Sequence, residues 1–214
     1  MNRLTPLRPP SLRSPIGRAL LLIPLLALLL PGCRQPRIAP LNSDSVVLAF
    51  GDSLTAGTGA EPAQSYPTRL AARLGCRVIN AGEAGELSDQ GLARLPGLLA
   101  AHRPQLVILC HGGNDLLARR EPAAIRSNLE AMIRLIREQG AEVIMIGVPK
   151  PGLILRSHPL YREVADRHRV PFEGKILARI LSSRSLKSDY IHPNAEGYRR
   201  MAESIEQMIR RQAR

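Results

Sequence analysis

Short runs of apolar residues alternate along the chain with longer stretches whose apolar residues recur at helical spacing. Most of the short runs are rich in valine, isoleucine and leucine, as strands covered on both faces of a parallel sheet are. They lie at 46–49, 77–80, 106–110, 143–148 and 169–172. The helical stretches lie near 65–75, 88–101, 121–140, 158–168, 174–181 and 198–209. This alternation predicts an α/β domain with a doubly wound, mostly parallel sheet and helices on both faces.

The first 32 residues have a different pattern from the rest of the chain. Four arginines, Arg3, Arg8, Arg13 and Arg18, precede a 12-residue apolar run at 19–30, which only Pro24 interrupts. The run is too short for a comfortable bilayer span and matches the apolar region of a signal peptide. We therefore expect a signal peptide at 1–32, a polar linker at 33–44 and one domain at 45–214.

The apolar run ends in Leu30-Pro31-Gly32-Cys33. This ending resembles the lipobox of bacterial lipoproteins, in which the cysteine is lipidated and becomes the new N-terminus. Pro31 departs from the usual residue at its position, so an uncleaved anchor or ordinary secretion stays open. Arg34, rather than an aspartate, follows the cysteine, which in Gram-negative lipoproteins implies the outer membrane. We expect lipidation at Cys33 and a place in the bacterial cell envelope, anchored to the membrane and facing the periplasm.

The remaining cysteines, Cys76 and Cys110, each adjoin an apolar run. Their surroundings favour two buried free thiols over a disulfide, which stays open because sequence does not give the Cα separation. The formal net charge of +12 becomes +8 when the four leader arginines are set aside. Aromatic residues make up only 3% of the chain and tryptophan is absent. We therefore expect no nucleic-acid partner, and a basic face beside anionic lipid or cell-wall polymer explains the charge equally well.

Polar loops that contain glycine follow the predicted strands at 51–57, 81–86 and 111–115, and a fourth polar segment, 189–194, precedes the last helix. Loops that follow parallel strands emerge at one edge of a sheet, where ligands bind in open α/β folds. We therefore expect these four segments to meet in space.

Together the four segments contain the parts that acyl transfer needs: a nucleophile, a base, an acid that orients the base, and donors for an oxyanion. Ser53 supplies a hydroxyl, and His192 is the preferred base because Asp189 lies three residues earlier in the same turn. The other four histidines have no suitably placed acidic neighbour in sequence. Asn114 and Gly85 are candidate oxyanion donors. Each of these residues also has an ordinary reading as a helix cap or a turn residue.

Four blocks in this order resemble the SGNH (GDSL) hydrolases, and more closely their thioesterase, arylesterase and lysophospholipase subgroup. The blocks are Gly51-Asp52-Ser53-Leu54-Thr55-Ala56-Gly57, Asn80-Ala81-Gly82-Glu83-Ala84-Gly85 with Gln90-Gly91-Leu92-Ala93-Arg94-Leu95-Pro96, Gly112-Gly113-Asn114-Asp115, and Asp189-Tyr190-Ile191-His192-Pro193-Asn194. Two departures from the subgroup, His111 and the residues around Gly85, put acyl-chain preference in question more than the chemistry.

The resemblance implies a flavodoxin-like three-layer α/β/α sandwich with a five-stranded, mostly parallel sheet and no metal or organic cofactor. It implies that Ser53 is the nucleophile, His192 the base and Asp189 its orienting acid. The backbone N–H of Ser53, with Gly85 and Asn114, would form the oxyanion hole. The implied substrates are small acyl esters or lipids, including aryl esters, lysophospholipids and acyl thioesters.

Other functions remain open on sequence alone. A carbohydrate O-acetylesterase of the cell wall or an exopolysaccharide would use the same residues. A binding lipoprotein without activity could share the fold, although every catalytic position is filled. A phosphate or nucleotide binder is disfavoured because the glycines at 51, 57 and 59 lack the spacing and the following lysine of the known phosphate loops.

Overall fold

The computed structural model describes residues 38–150 and 152–213. The predicted signal peptide and Cys33 lie outside these ranges. Residues 38–44, which the sequence assigns to the linker, lie against the domain: Ile38 is buried and its N–H donates to the carbonyl of Gln212 at 3.1 Å. Within the described ranges, no helix combines the length and the apolar character that crossing a bilayer requires.

Five strands form a single parallel sheet. They are β1 (Val46–Gly51), β2 (Arg77–Gly82), β3 (Leu106–Cys110), β4 (Glu142–Ile146) and β5 (Phe172–Glu173). Their spatial order is β2-β1-β3-β4-β5, and every neighbouring pair is parallel. This arrangement confirms the doubly wound α/β fold that the sequence predicts.

Eight α-helices connect and cover the strands in the part of the chain that the structure describes. They are α1 (Ser53–Ala56), α2 (Tyr66–Leu74), α3 (Ser88–His102), α4 (Gly113–Leu117), α5 (Pro122–Glu138), α6 (Pro159–His168), α7 (Ile176–Leu181) and α8 (Ala195–Gln212). Helix α2 packs on α8, whereas α3 packs on α5 and α5 on α6. Because parallel crossovers are right-handed, the reversal of strand order after β2 places these two groups on opposite faces of the sheet.

The fifth strand differs from the prediction. The sequence places it at 169–172, but β5 contains only Phe172–Glu173. Arg169 adopts a left-handed conformation with φ 49°, and the N–H of Val170 donates to the carbonyl of Ala165 at 2.8 Å. These residues therefore close α6, so the strand begins only after Pro171.

The centre of the sheet is buried on both faces. Strands β1, β3 and β4 contribute fully buried valine, leucine and isoleucine side chains, and Cys76 and Cys110 are buried free thiols as expected. Strands β1 and β3 approach closely at their carboxyl ends, since a Cβ added to Gly51 would lie 2.0 Å from the carbonyl oxygen of Cys110. The strand order reverses between these two strands, and the crevice at such a switch point is where ligands bind in this class of fold.

Candidate active site

Ser53 is the first residue of α1, directly after the carboxyl end of β1. Asp52 caps this helix, because its Oδ1 accepts the N–H of Leu54 at 3.1 Å. The helix ends after one turn at Gly57, whose φ of 101° is left-handed and suits glycine. The tight turn leaves the Ser53 hydroxyl half-buried at the edge of the sheet, with its backbone N–H among the unpaired N–H groups of a helix start.

His192 and Asp189 meet Ser53 in a continuous chain of hydrogen bonds. The Nε2 atom of His192 lies 3.0 Å from Ser53 Oγ, and its Nδ1 lies 2.8 Å from Asp189 Oδ2. A carboxylate only accepts hydrogen bonds, so Nδ1 carries the proton that faces Asp189. Nε2 is then left to accept the serine O–H. The structure therefore brings together the three residues that the sequence selects.

The backbone of the same turn fixes the position of Asp189. Its Oδ1 accepts the N–H groups of Ile191 and His192, each at 2.8 Å. Partial burial opposes ionisation, but the hydrogen bonds from the His192 ring and from these two backbone N–H groups lower the pKa of Asp189 below its usual value. The carboxylate is thus ionised and held in place to orient the imidazole.

Asn114 lies in α4, at the carboxyl end of β3 and beside Ser53. One N–H of its side-chain amide donates to the carbonyl of Glu86 at 2.9 Å, which leaves the second N–H for another acceptor. Gly85 precedes Glu86 on an exposed loop and has a left-handed φ of 81°. Asn114 and Ser53 line the adjacent cleft, whereas Gly85 is not among the residues that line it. Its neighbour Glu86 is the residue that contacts Asn114.

A buried ionic cluster supports this loop. His111, which has no suitably placed acidic neighbour in sequence, is fully buried with its Nε2 3.0 Å from Glu86 Oε2. Arg94 adds two contacts of 2.7 Å to the same carboxylate and donates to the carbonyl of Ala81. The pairing joins residues 25 positions apart, so the local spacing of acids and histidines gave no signal for it.

Hydrogen bonds define the charge state of this cluster. The N–H of Gly112 donates to His111 Nδ1 at 2.8 Å, so the imidazole proton resides on Nε2 and points at Glu86. Burial alone would raise the pKa of Glu86, but hydrogen bonds from Arg94 and His111 outweigh it and lower the pKa to about 2. The carboxylate therefore stays ionised and ties β2, α3 and β3 together beneath Gly85 and Asn114.

Two buried aspartates fasten the loops to each other. Asp52 accepts the N–H of Gly113 at 3.3 Å, although burial raises the pKa of this carboxyl. Asp115 accepts the N–H and the hydroxyl of Ser88 at 2.9 and 2.7 Å. The first contact joins the Ser53 turn to α4, and the second joins α4 to the start of α3. The sequence does not indicate that Asp52 and Asp115 join these loops by hydrogen bonds.

A cleft of about 300 Å³ opens beside Ser53 and His192. Its walls are mainly apolar, and the aliphatic side chains that line it are Leu54, Leu117, Val148, Leu155, Leu181 and Ile191. Lys150 and Lys187 add positive charge. This shape can hold an acyl chain with its carbonyl carbon near the serine hydroxyl. Among the described residues, no group of three or more His, Cys, Asp or Glu side chains is arranged to hold a metal ion.

Comparison with known proteins gives consistent matches. The model of the GDSL-like lipase/acylhydrolase family matches residues 49–200. The chain is 33% identical to the esterase TesA of Pseudomonas aeruginosa over 84% of this chain and 95% of that protein. It is 30% identical to thioesterase 1/protease 1/lysophospholipase L1 of Escherichia coli K12, over 70% of this chain and 76% of that protein. A crystal structure of TesA matches with a TM-score of 0.72 and 30% identity, covering 78% of this chain and 99% of that chain.

Proposed function

The chain belongs to the GDSL-like lipase/acylhydrolase family and is a serine esterase, and we propose that it cleaves carboxylic esters and thioesters through an acyl intermediate on Ser53. The observation that carries the catalytic assignment is the chain of contacts from Ser53 Oγ to His192 Nε2 at 3.0 Å and from His192 Nδ1 to Asp189 at 2.8 Å. A serine hydroxyl in water is a weak nucleophile, and this arrangement removes its proton as it attacks.

In the first half of the reaction, Ser53 Oγ bonds to the substrate carbonyl carbon while its proton passes to His192 Nε2. Asp189 stabilises the imidazolium that forms and does not itself take the proton. The tetrahedral intermediate then collapses, the bond to the leaving oxygen or sulfur breaks, and His192 returns the proton to the departing alcohol or thiol. The acyl group remains on Ser53.

In the second half, water replaces the leaving group. His192 takes a proton from the water as the water oxygen bonds to the acyl carbon. The second tetrahedral intermediate releases the carboxylic acid and restores the Ser53 hydroxyl, which recovers its proton from His192. The N–H of Ser53, the second amide N–H of Asn114 and the N–H of Gly85 would stabilise the oxyanion in both halves.

The lining of the cleft favours, as substrate, an alkyl or aryl ester whose acyl group is apolar. Its aliphatic walls favour a chain of several carbons, and Lys150 and Lys187 at the mouth suit an alcohol or thiol portion that carries negative charge. The names of the relatives, an esterase and a thioesterase/lysophospholipase, are consistent with such substrates.

Labelling with a fluorophosphonate probe tests the catalytic assignment. The wild-type protein should react covalently, the Ser53→Ala variant should not react, and the His192→Ala variant should react very slowly while keeping its fold. Hydrolysis of a nitrophenyl ester should follow the same order. Equal labelling of the wild type and the Ser53→Ala variant would overturn the assignment.

We also propose that the enzyme is a lipid-anchored envelope protein. The support comes from the sequence alone, because residues 1–37 lie outside the part of the chain that the structure describes. It consists of the composition of the leader and the small residue Gly32 before Cys33. Metabolic labelling with a radioactive fatty acid in a bacterial host should label the wild type and not the Cys33→Ser variant. The variant should also be absent from the membrane fraction. Equal labelling of both would contradict a lipid on Cys33.

A further inference from the structure

The large hydrophobic side chains that are exposed in the described ranges lie on three segments around the mouth of the cleft. They are Leu117 (44% exposed), Leu153 (106%), Ile154 (72%), Tyr190 (90%) and Ile191 (39%). Leu117, Tyr190 and Ile191 line the mouth itself. Leu153 and Ile154 lie between Gly152 and Leu155, which line it too. We call these five side chains the apolar rim.

Leu153 and Ile154 are not part of the substrate cleft. They sit on a loop held by a bridge between Pro149 and Ser157 and by the N–H of Lys150, which donates to the carbonyl of Arg156 at 3.3 Å. This bracing presents both side chains to solvent, while Leu155 faces the cleft. Two adjacent aliphatic side chains that are exposed to water contribute no burial of apolar surface to folding. Their position therefore points to an external apolar partner.

Basic residues surround the apolar rim. The segments 113–120, 148–158 and 186–192 contain five basic residues, Arg119, Arg120, Lys150, Arg156 and Lys187, against two acidic ones, Asp115 and Asp189. Arg120 is paired with Asp89 at 3.4 Å, which leaves the other four basic side chains. Both carboxylates are already engaged, Asp115 by Ser88 and Asp189 by His192. The rim therefore presents net positive charge beside exposed aliphatic and aromatic side chains.

We propose that the apolar rim docks the enzyme onto an anionic phospholipid bilayer, with the cleft opening toward the lipid. Aliphatic and aromatic side chains enter the boundary between headgroups and acyl chains, and nearby arginines and lysines pair with anionic headgroups. Docking in this orientation delivers membrane-dissolved acyl substrates to Ser53 without passage through water. The proposal rests on the esterase function and extends it to an interfacial substrate supply.

A single introduced tryptophan can report docking, because the chain contains none. The full chain carrying Leu153→Trp is mixed with vesicles of phosphatidylcholine, with or without phosphatidylglycerol. Its emission should shift to the blue and resist aqueous quenchers when phosphatidylglycerol is present. The matched control is Gln207→Trp, an exposed position on α8 thirteen residues after its N-cap Asn194, where the emission should not change.

Activity gives a second, independent readout. Replacing Leu153 and Ile154 together with serine should lower hydrolysis of a long-chain ester embedded in anionic vesicles by about ten-fold or more. Hydrolysis of water-soluble nitrophenyl acetate should stay unchanged, because neither side chain lines the cleft. Arg119→Gln with Arg156→Gln should weaken the response to phosphatidylglycerol, whereas Arg210→Gln with Arg211→Gln at the far end of α8 should not.

The two activity readouts separate the proposals. If the wild-type protein hydrolyses neither substrate, the esterase function itself is contradicted. Normal hydrolysis combined with an unchanged Leu153→Trp spectrum would overturn membrane docking alone and leave the rim to a protein partner. An equal spectral shift at positions 153 and 207 would also overturn it, because the protein would then adsorb without orientation.

Discussion

Ser53, His192 and Asp189 are linked by two hydrogen bonds, and each bond involves one particular ring nitrogen of His192. Asp189 holds the proton of His192 on Nδ1, and this leaves Nε2 as the acceptor that faces Ser53 Oγ. The sequence predicts this arrangement well, because Asp189 and His192 share one turn and their contact depends only on local backbone. It does not predict the pairing of His111 with Glu86, which requires the folded sheet.

Replacement of Asp189 by asparagine tests the orienting role. The amide keeps the size of the carboxylate but no longer stabilises the imidazolium or fixes the proton on Nδ1. We expect kcat on a nitrophenyl ester to fall by about 10³- to 10⁴-fold, with little change in unfolding free energy. Glu61→Gln, on the exposed surface, is the matched control. A near-normal kcat in Asp189→Asn would remove the residue from the mechanism.

Asn114 makes its expected contribution only when charge develops on the substrate oxygen. The Asn114→Ala variant should lower kcat by about 10²- to 10³-fold and change KM little. Because Asn114 also donates to the carbonyl of Glu86, the unfolding free energy of the variant must be measured alongside. An effect confined to KM would argue that Asn114 binds the ground state and donates to no oxyanion.

At the scale of elements, the ends of β1, β2 and β3 position the loops, and buried polar ties hold the loops in register. The sequence predicts most helices and strands within a few residues, since apolar periodicity decides them. It fails at β5, where Arg169 and Val170 continue the C-terminal cap of α6. It also treats 113–117 as loop, because the single turn of α4 is too short to show a period.

The Glu86 cluster makes stability depend on acidity. The folded pKa of about 2 lies below the ordinary value of 4.5, so its contribution is complete above pH 4.5 and is lost as the pH falls toward 2. We expect Glu86→Gln to destabilise the protein by about 1–3 kcal/mol at neutral pH. The difference from wild type in denaturant unfolding should shrink between pH 4.5 and 2. A constant difference would contradict the assignment of the ionised form.

The junction of β1 and β3 leaves no room for a side chain at Gly51. A Cβ there would lie 2.0 Å from the carbonyl oxygen of Cys110, a backbone atom that cannot move aside. We expect Gly51→Ala to be insoluble or to lose several kcal/mol of stability. Gly97→Ala in α3, where a Cβ would meet nothing within 4 Å, should be neutral or stabilising by up to about 1 kcal/mol. Equal stability of the two variants would show that the strands can separate.

For the whole molecule, the parallel direction of all five strands explains why distant segments share one edge, and the reversal of strand order around β1 opens a crevice there. The alternation of strands and helices predicts a parallel sheet, but strand order follows from pairing between strands that the sequence pattern does not encode. The resemblance to the family implied only the flavodoxin-like class, and the structure supplies the order β2-β1-β3-β4-β5. The same edge carries the catalytic residues and the apolar rim, so a single orientation of the molecule serves both chemistry and the proposed docking.

The most direct test of the catalytic role of Ser53 is to trap the covalent intermediate. Wild-type protein is mixed with an excess of nitrophenyl ester, quenched in acid within the burst of nitrophenol release, digested and examined by mass spectrometry. We expect one acyl group per molecule, on the peptide that contains Ser53. An acyl group on another residue, or turnover with no acylated peptide at any quench time, would contradict it.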